Sequence, residues 1–306
     1  MSSLPVTTLA PPRPASEVSS SLRAADPHSR RRRRRSRVMR TVLLAGMIAA
    51  MIPLALILIE VGRRGANAFG WSFLTQTEPP FRREGGGYLQ GLVGTFYMVT
   101  LATAMSVPLG IMAAVYLVEY GRGWLARVIR FFTDVMTGVP SVFVGLFVYA
   151  LLIRDIGFGT FVGALALSVI MLPIVVRSSE EMLKLVPEDQ RAASAALGAR
   201  RWQTIVKVVL PTARPGLVTG AMLAVARAAG ETAPLLLTAL GALSVVTAVQ
   251  GTPQSALTLL IYDGATQPFA PGQQRAWAGA LLLLGIVFVF TAVARFVSSR
   301  STVRPD

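Results

Sequence analysis

Two charged residues in an otherwise apolar stretch are the first candidates for chemistry. Within Pro215–Tyr262 the only charges are Arg227 and Glu231. Their spacing of four residues places both on one face of a helix. A charge at membrane depth costs about 2.5–3.5 kcal/mol, so it persists only if it is paired or faces water. The two residues therefore form either a structural ion pair or part of a polar translocation path, to which Thr232 adds a hydroxyl.

Arg177 is a third candidate, because it directly follows the fourth apolar span. One interpretation is an anchor whose guanidinium reaches the polar edge of the membrane. The other is a group that faces the path and attracts an oxyanion, because arginine offers a fork of donors that matches phosphate oxygens. The sequence leaves both interpretations open.

Composition excludes several kinds of catalysis. The chain has no cysteine and one histidine, so thiolate chemistry and multi-histidine metal sites are excluded. Neither of its two lysines, Lys184 and Lys207, follows a glycine, so there is no P-loop. A G-x-S-x-G elbow and a histidine-based triad are also missing. We expect a transport subunit rather than an enzyme, without a metal or cofactor, and with any ATP bound by another chain.

The elements that carry these residues are predicted to be membrane helices. Hydrophobic residues make up 53% of the 306-residue chain, mean hydropathy is +0.57, and charged residues make up only 15%. Soluble domains have about 25% charged residues. Apolar stretches long enough to cross a bilayer predict an all-α membrane protein with six transmembrane helices. These are Thr41–Ile59, Tyr88–Val118, Val135–Ile153, Ile156–Val176, roughly 213–240, and Ala276–Ala294.

The remainder of the fifth stretch is expected to be re-entrant or external. Its Gln250, Gly251, Pro253 and Gln254 suit an interface better than hydrocarbon. Most of the spans also carry an internal proline, and small residues are frequent in them. This is typical either of ordinary close helix packing or of kinked helices that line a path and move during gating.

The distribution of positive charge predicts the topology. Residues 1–40 hold 10 of the 30 Lys and Arg residues and are expected to form a disordered basic cytoplasmic tail. Its Arg30–Arg35 block is interpreted as an orientation signal at lipid headgroups, with a nucleic-acid-binding arm as the alternative. Segments assigned to the cytoplasm hold 23 Lys and Arg residues against 6 outside, which places both termini in the cytoplasm. The predicted regions are helix 41–61, external loop 62–87, transmembrane domain 88–297 and cytoplasmic tail 298–306.

The longest cytoplasmic loop, residues 187–211, is predicted to contain two short helices. Pro187, Glu188 and Asp189 suit a helix N-terminus. Gly198 ends the first helix, and a second apolar face ends at Pro211. Such a knob can dock into a groove of a partner, although an ordinary connector is also possible. The residues expected to contact the partner are Glu188, Asp189, Ala193, Leu197, Gly198 and Trp202.

This loop resembles the EAA loop of binding-protein-dependent ABC importer permeases. The segment A-A-S-A-A-L-G at 192–198 is followed by W-Q-T-I-V-K-V-V-L-P at 202–211, with nine residues between Gly198 and Val208. The glutamate that is usual in the family is replaced by Ala192, and its isoleucine by Val208. The resemblance implies a coupling helix that sits in a cleft of the ATP-hydrolysing subunit.

Three further segments are similar to the phosphate-importer permease family of PstA type. They are T-G-V-P-S-V-F-V-G at 137–145, P-I-V-V-R-S-S-E-E-M-L-K-L-V-P at 173–187, and A-V-A-R-A-A-G-E-T-A-P-L-L-L-T-A at 224–239. The resemblance runs from about Gly85 to Arg295. It implies the type I importer (MetI-like) fold and a path for phosphate in the bacterial cell membrane. It also implies a sister permease, an ATPase dimer and an extracytoplasmic phosphate-binding protein as partners.

Two other functions remain open at this point. A permease for another oxyanion would share the loop, and an ion-coupled secondary transporter would use Glu231 as a proton carrier. The absence of inverted repeats with paired broken helices weighs against the secondary transporter. A signalling role without transport is a third possibility.

Overall fold

The computed structural model describes residues 27–80 and 82–300, with side chains from 35 to 80 and from 82 to 296. Residues 1–26 of the predicted disordered tail lie outside the described residues, as do residues 301–306, whereas residues 27–40 are helical and not disordered as predicted. The described residues form twelve α-helices. These are α1 Pro27–Ala68, α2 Trp71–Thr75, α3 Leu89–Val115, α4 Trp124–Gly138, α5 Ser141–Ile156, α6 Thr160–Lys184, α7 Glu188–Ala196, α8 Arg201–Thr204, α9 Leu210–Ala229, α10 Ala233–Thr238, α11 Leu257–Thr266 and α12 Ala270–Arg300.

Five of the helical segments are long and apolar enough to cross a membrane, and α4 with α5 can form a sixth span. The predicted all-α fold with six spans is confirmed when α4 and α5 are counted together as one span. The third span is not one helix, however, because α4 and α5 meet at an angle of 109°. Val139 adopts extended backbone dihedrals and Pro140 follows it. A residue that precedes proline is sterically disfavoured in the helical region, which explains the break.

The fourth and fifth spans also differ from the prediction. Helix α6 begins at Thr160, after the positive-φ glycines Gly157 and Gly159, and continues two turns beyond the predicted end at Val176. The fifth span, predicted over 213–240, is broken at Gly230, and α10 follows as a separate short helix.

The second helix of the long loop is predicted to end at Pro211, but in the structure it continues past this residue. It continues from α8 through a π-helical turn at Ile205–Val209 directly into α9. Proline cannot donate a backbone hydrogen bond, and its ring clashes with the carbonyl of a regular helix one turn earlier. The wider π-helical turn just before Pro211 accommodates both effects.

Residues 239–256 are irregular, as expected for a segment outside the regular spans. Gln254 is fully buried, and its side-chain amide donates to Thr160 Oγ1 at 3.1 Å and to the carbonyl of Val246 at 2.9 Å. The amide of Phe161 donates to the carbonyl of Val249 at 2.9 Å. The segment is therefore folded onto the start of α6, and Gln254 lies in protein rather than at the interface for which the sequence suggested it.

The chain divides into two compact units, residues 1–59 and 60–306. In the first unit every described side chain is exposed, and those from Val42 to Ile59 are largely apolar. In the second unit the main core cluster lies where α3, α6, α9, α10 and α11 meet. Met98, Leu167, Met171 and Val175 are completely inaccessible there.

Close contacts at glycines bring these helices together. A Cβ atom built at Gly145 on α5 would lie 2.6 Å from Pro234 Cα on α10. A Cβ at Gly163 on α6 would lie 2.6 Å from Met98 Sδ on α3. Gly138, by contrast, has nothing within 4 Å of such a position. Small residues therefore serve close packing at some of the predicted positions and not at others.

These contacts predict the effect of single methyl groups. Gly145→Ala should destabilise the protein by about 1–3 kcal/mol, because its methyl group meets backbone atoms that cannot rotate away. Gly138→Ala is the matched control and should be neutral or slightly stabilising, since alanine is the better helix former. Thermal unfolding of the two variants in detergent measures the difference. Equal melting temperatures would contradict this account of the α5–α10 contact.

Candidate functional site

The predicted pair of Arg227 and Glu231 is formed, although a single helix does not carry both residues. Arg227 lies in the last turn of α9, and Glu231 follows the break at Gly230. Arg227 Nε lies 3.5 Å from Glu231 Oε1. The arginine side chain is 62% exposed and the glutamate side chain 16%. The pair is therefore open to its surroundings on the arginine side and largely enclosed on the glutamate side.

Arg227 borders a cavity of about 130 Å³ at the bend between α4 and α5. Its walls come from both sides of the bend and from the middle of α6, and they are largely apolar. The polar residues that line it are Thr137, Ser141 and Arg227, and the Thr137 hydroxyl already donates to the carbonyl of Asp134 at 2.7 Å. The cavity therefore has a positive charge and one serine hydroxyl next to a helix break, and this arrangement can hold a small oxyanion.

Thr232 occupies the N-cap position of α10, but its side chain makes no capping hydrogen bond. Its carbonyl accepts from the amides of Leu235 and Leu236, both at 3.1 Å. The carbonyl of Glu231 accepts from Thr258 Oγ1 at 3.0 Å, which ties the broken helix to α11. The hydroxyl of Thr232 is therefore available for other contacts beside the pair.

Arg177 pairs with carboxylates rather than with the Arg227 site. Its Nε lies 3.2 Å from Glu181 Oε1, one turn along α6, and its Nη1 lies 3.9 Å from Asp134 Oδ1 on α4. All three side chains are more than half exposed. This network is compatible with the anchor interpretation, and a direct contact between Arg177 and the cavity is not observed among the described side chains.

The loop 187–211 presents an exposed knob, in keeping with its predicted shape. Helix α7 begins at Glu188, and none of its residues is buried. Leu197 is 90% exposed and Trp202 is 54% exposed. Large apolar groups on an exposed knob are typical of an interaction surface. Glu188, Asp189 and Ala193 are also exposed and share this surface.

Gly198 adopts a φ of +80° between α7 and α8. This left-handed conformation is one that side chains with a Cβ rarely adopt, and glycine enters it at no steric cost. A Cβ built at Gly198 would meet no atom within 4 Å. The glycine is therefore required by backbone conformation and not by crowding.

Sequence reasoning missed the residue that anchors this loop. Arg191 is only 16% exposed, and its Nη2 donates to the carbonyl of Leu183 at 2.9 Å. Its Nε donates to Glu119 Oε1 at 3.3 Å, and its Nη1 contacts Glu188 Oε2 at 3.5 Å. Glu119 lies in the π-helical turn Tyr116–Tyr120 that follows α3. An arginine is thus fixed one residue before Ala192, where the family usually has glutamate, and no local pattern pointed to its partner 72 residues earlier.

A group of ion pairs at the end of α6, close to the loop, was also missed by sequence reasoning. Glu180 on α6 is 2% exposed, and its Oε1 accepts from Arg130 Nε at 3.1 Å and lies 2.7 Å from Lys184 Nζ. Arg130 Nη2 also donates to the carbonyl of Leu117 at 3.2 Å. The i,i+4 spacing of Glu180 and Lys184 could have signalled their contact, whereas the link to α4 required the fold.

The loop 62–87 takes part in a buried polar cluster that the sequence also did not reveal. Glu78 and Arg275 have side chains that are 4% exposed, with Glu78 Oε1 3.9 Å from Arg275 Nε. Arg275 Nη1 donates to the carbonyls of Arg83 and Gly85 at 2.6 and 3.3 Å, which holds the loop 62–87 against the start of α12. Burial raises the pKa of Glu78 to about 7; the Arg275 charge opposes this rise and Asp263 adds to it.

None of the charged clusters described above resembles a metal centre. Within residues 27–80 and 82–300, no group of three or more His, Cys, Asp or Glu side chains is placed to hold a metal ion. The chemistry available at these sites is therefore electrostatic attraction and hydrogen bonding by arginine, glutamate and hydroxyl groups.

Solved structures with this arrangement of helices are ABC importers. The chain matches a bacterial alginate ABC transporter with a TM-score of 0.64 at 16% identity, covering 88% of this chain and 96% of that one. It matches the MetNI methionine ABC transporter in an inward-facing conformation with a TM-score of 0.55 at 19% identity, covering 70% and 94%. At these identities the likeness concerns the fold, which is that of type I ABC importer permeases.

Sequence comparison identifies the family. Residues 106–303 match the family model of the binding-protein-dependent transport system inner membrane component. The phosphate transport system permease protein PstA 1 of Mycobacterium tuberculosis is 42% identical over 283 residues, covering 90% of this chain and 92% of the relative. The PstA permease of Yersinia pestis is 38% identical over 271 residues, covering 88% and 92%. The chain belongs to this family of membrane transport components and, within it, to the PstA group.

Family membership confirms the prediction of a multi-pass membrane transport subunit rather than an enzyme. The roles of Arg177, Arg227, Glu231 and Thr232, and of the six loop residues, stay predictions.

The buried cluster of Glu78 and Arg275 predicts a pH dependence. Because the folded-state pKa of Glu78 lies above its ordinary value, stability from this group is present at acidic pH and is lost as pH rises through about 7. Between about pH 5.5 and about pH 8.5 the loss should be of order 2–3 kcal/mol, and Glu78→Gln should remove it. Glu84→Gln, an exposed carboxylate of the same loop, is the control. Melting temperatures across this range test the prediction, and an unchanged pH profile in Glu78→Gln would contradict it.

Proposed function

We propose that this chain is one of two membrane subunits of a bacterial ATP-driven phosphate importer. The relatives named phosphate transport permeases support phosphate as the substrate. We further propose a sister permease, an ATPase dimer and an extracytoplasmic phosphate-binding protein as its partners. The shared family of binding-protein-dependent transport components supports this assembly.

One observation carries the proposal for the path. The three segments that resemble phosphate permeases, at 137–145, 173–187 and 224–239, are far apart in sequence but border the same cavity. Each contributes to its wall, with Val139, Pro173 and Arg227 as examples. The three segments that are similar to phosphate permeases therefore meet at one place in the fold, next to the broken helices.

The mechanism follows from charge and helix breaks. Arg227 attracts phosphate toward the cavity, and Glu231 keeps the positive charge from binding it so tightly that release becomes slow. The breaks at Val139–Pro140 and at Gly230 let α5 and α10 move relative to α4 and α9. Closure of the ATPase dimer would move the exposed knob, and the continuous segment from α8 to α9 would carry this motion to Arg227.

The path is tested by the double variant Arg227→Gln with Glu231→Gln. Removing both charges leaves no unpaired ion, so the variant should insert and assemble normally. Phosphate uptake should nevertheless fall about tenfold or more, because charge-assisted hydrogen bonds to the anion are lost. The control is Glu60→Gln with Arg63→Gln, a pair one turn apart on α1 in which Glu60 also binds Arg64. Near-normal uptake by the assembled double variant would contradict a role in the path and leave Arg227 and Glu231 as a structural ion pair.

Coupling is tested by Gly198→Val. Valine is strained at a φ of +80°, so the knob should change shape, ATPase association should weaken and uptake should be lost. Gly251→Val is the matched control, because Gly251 has a φ of +74° and the same open surroundings but lies in the segment 239–256. Co-purification of the ATPase with each variant is the measurement. Equal association in both variants would remove the case for the loop as a docking element.

The proposed topology places both termini in the cytoplasm and residues 62–87 outside. The chain has no native cysteine, so single cysteines can be introduced without background. Thr77→Cys should react with a membrane-impermeant thiol reagent added to intact cells, whereas Ser20→Cys should react only after permeabilisation. The reverse pattern would invert the topology and would place the coupling loop on the wrong side.

A further inference from the structure

A polar pocket of about 430 Å³ opens beside the coupling loop. It lies where the end of α3, the connection to α4, the end of α6 and the loop helices α7 and α8 meet. Five cationic side chains line it: Arg122, Arg130, Lys184, Arg191 and Arg201. It is separate from the cavity at Arg227, since the two share no lining residue.

The pocket carries more positive charge than its carboxylates neutralise. Glu119 and Glu188 both pair with Arg191, as described above. Glu180 is shared between Arg130 and Lys184. The two remaining cations, Arg122 and Arg201, form no ion pair with any carboxylate in the part of the chain that the structure describes.

Several of the donors are held in place before any ligand arrives. Arg191 and Arg130 are fixed by the backbone carbonyls of Leu183 and Leu117 as well as by carboxylates. The guanidinium carbon of Arg201 lies 4.5 Å from the centre of the Tyr120 ring, a cation–π contact that leaves the guanidinium edge free. Because these side chains are already ordered, a ligand would pay less of the entropy cost of binding.

We propose that this basic pocket binds a phosphate-type oxyanion on the cytoplasmic side of the membrane. Several arginines around one opening match the oxygens of a phosphate group with paired donors. Two sources have this chemistry: free inorganic phosphate and the phosphodiester of an anionic phospholipid. Trp124 and Leu125, which begin α4 beside the pocket, are exposed, as is typical of residues at the lipid interface. The placement of the pocket on the cytoplasmic side depends on the proposed topology, whereas the proposal that the pocket binds an oxyanion does not.

The consequence of binding is regulatory. The pocket wall joins the loop, through Arg191 and Arg201, to Arg130 in the middle of α4 and to Lys184 at the end of α6. A bound anion therefore holds the knob against the membrane helices and favours the loop position described here over others.

The test uses the whole transporter complex in lipid nanodiscs. The variant Arg122→Gln with Arg201→Gln removes the two cations without ion pairs and leaves the pairs of Arg130, Lys184 and Arg191 intact. The control, Arg127→Gln with Arg214→Gln, removes the same charge from exposed positions outside the pocket. One arm titrates inorganic phosphate, in phosphatidylcholine nanodiscs and without the binding protein, by calorimetry. The other adds phosphatidylglycerol and counts retained lipid by native mass spectrometry.

We expect the pocket variant to weaken binding about tenfold or more relative to both wild type and control in at least one arm. A loss confined to the phosphate arm identifies free phosphate as the ligand, and a loss confined to the lipid arm identifies phospholipid. Wild-type binding in both arms by the pocket variant would overturn the proposal. It would also be overturned if the pocket variant instead lost the ATPase subunit during purification, because the cations would then serve protein docking. Failure of the proposed phosphate transport is distinguishable, since neither arm measures uptake.

Discussion

The structure of the second unit depends on the burial of one helix, α6. Its length from Thr160 to Lys184 gives α3, α5, α9 and α10 a common packing surface, and Met171, Val175 and Leu183 along it are inaccessible. Within hydrocarbon, irregular backbone is tolerated only where protein or water satisfies its hydrogen bonds. Helix α6 provides such protein contacts for the irregular segments beside it. The backbone of the segment 239–256 hydrogen-bonds to the first turn of α6, and the bend between α4 and α5 lies against the middle of α6. The broken helices can therefore exist beside it.

The same constraint explains where charge is tolerated. Glu180 is buried and is neutralised by Arg130 and Lys184, whereas Arg227 is exposed and, among the described residues, pairs with Glu231 alone. Loss of one partner is costly where the charge left behind is buried, and less costly where that charge is exposed. The Glu180 cluster is therefore suited to fixing the end of α6, while the Arg227 pair is suited to exchanging one partner for a passing anion. Both clusters contain arginine and glutamate, but their burial differs.

Sequence patterns predicted the helices well and the breaks poorly. Absence of charge over about 20 residues indicates a span without any knowledge of packing, and for this reason the helices at α3, α6 and α12 could be predicted. Val139–Pro140 and Gly230 contain residues that weaken a helix, but whether a helix bends at such a residue depends on its neighbours. Gly145 against Pro234 is one such neighbour contact and could not be read from one chain segment. The Gly198 turn, by contrast, was predictable because glycine alone enters its conformation readily.

The candidate sites divide in the same way. The Arg227–Glu231 contact was predictable because four residues separate its members, and it survives the helix break since the backbone still turns through Gly230. Arg191 with Glu119, and Arg275 with Glu78, join residues far apart in sequence, and a single sequence has no local signal for such pairs. Both distant pairs fix loops rather than line the cavity. The loop at Arg191 is thus held to the π-helical turn after α3 and to the end of α6, and an anion in the adjacent basic pocket would add to this attachment of the element proposed to couple ATP hydrolysis to transport.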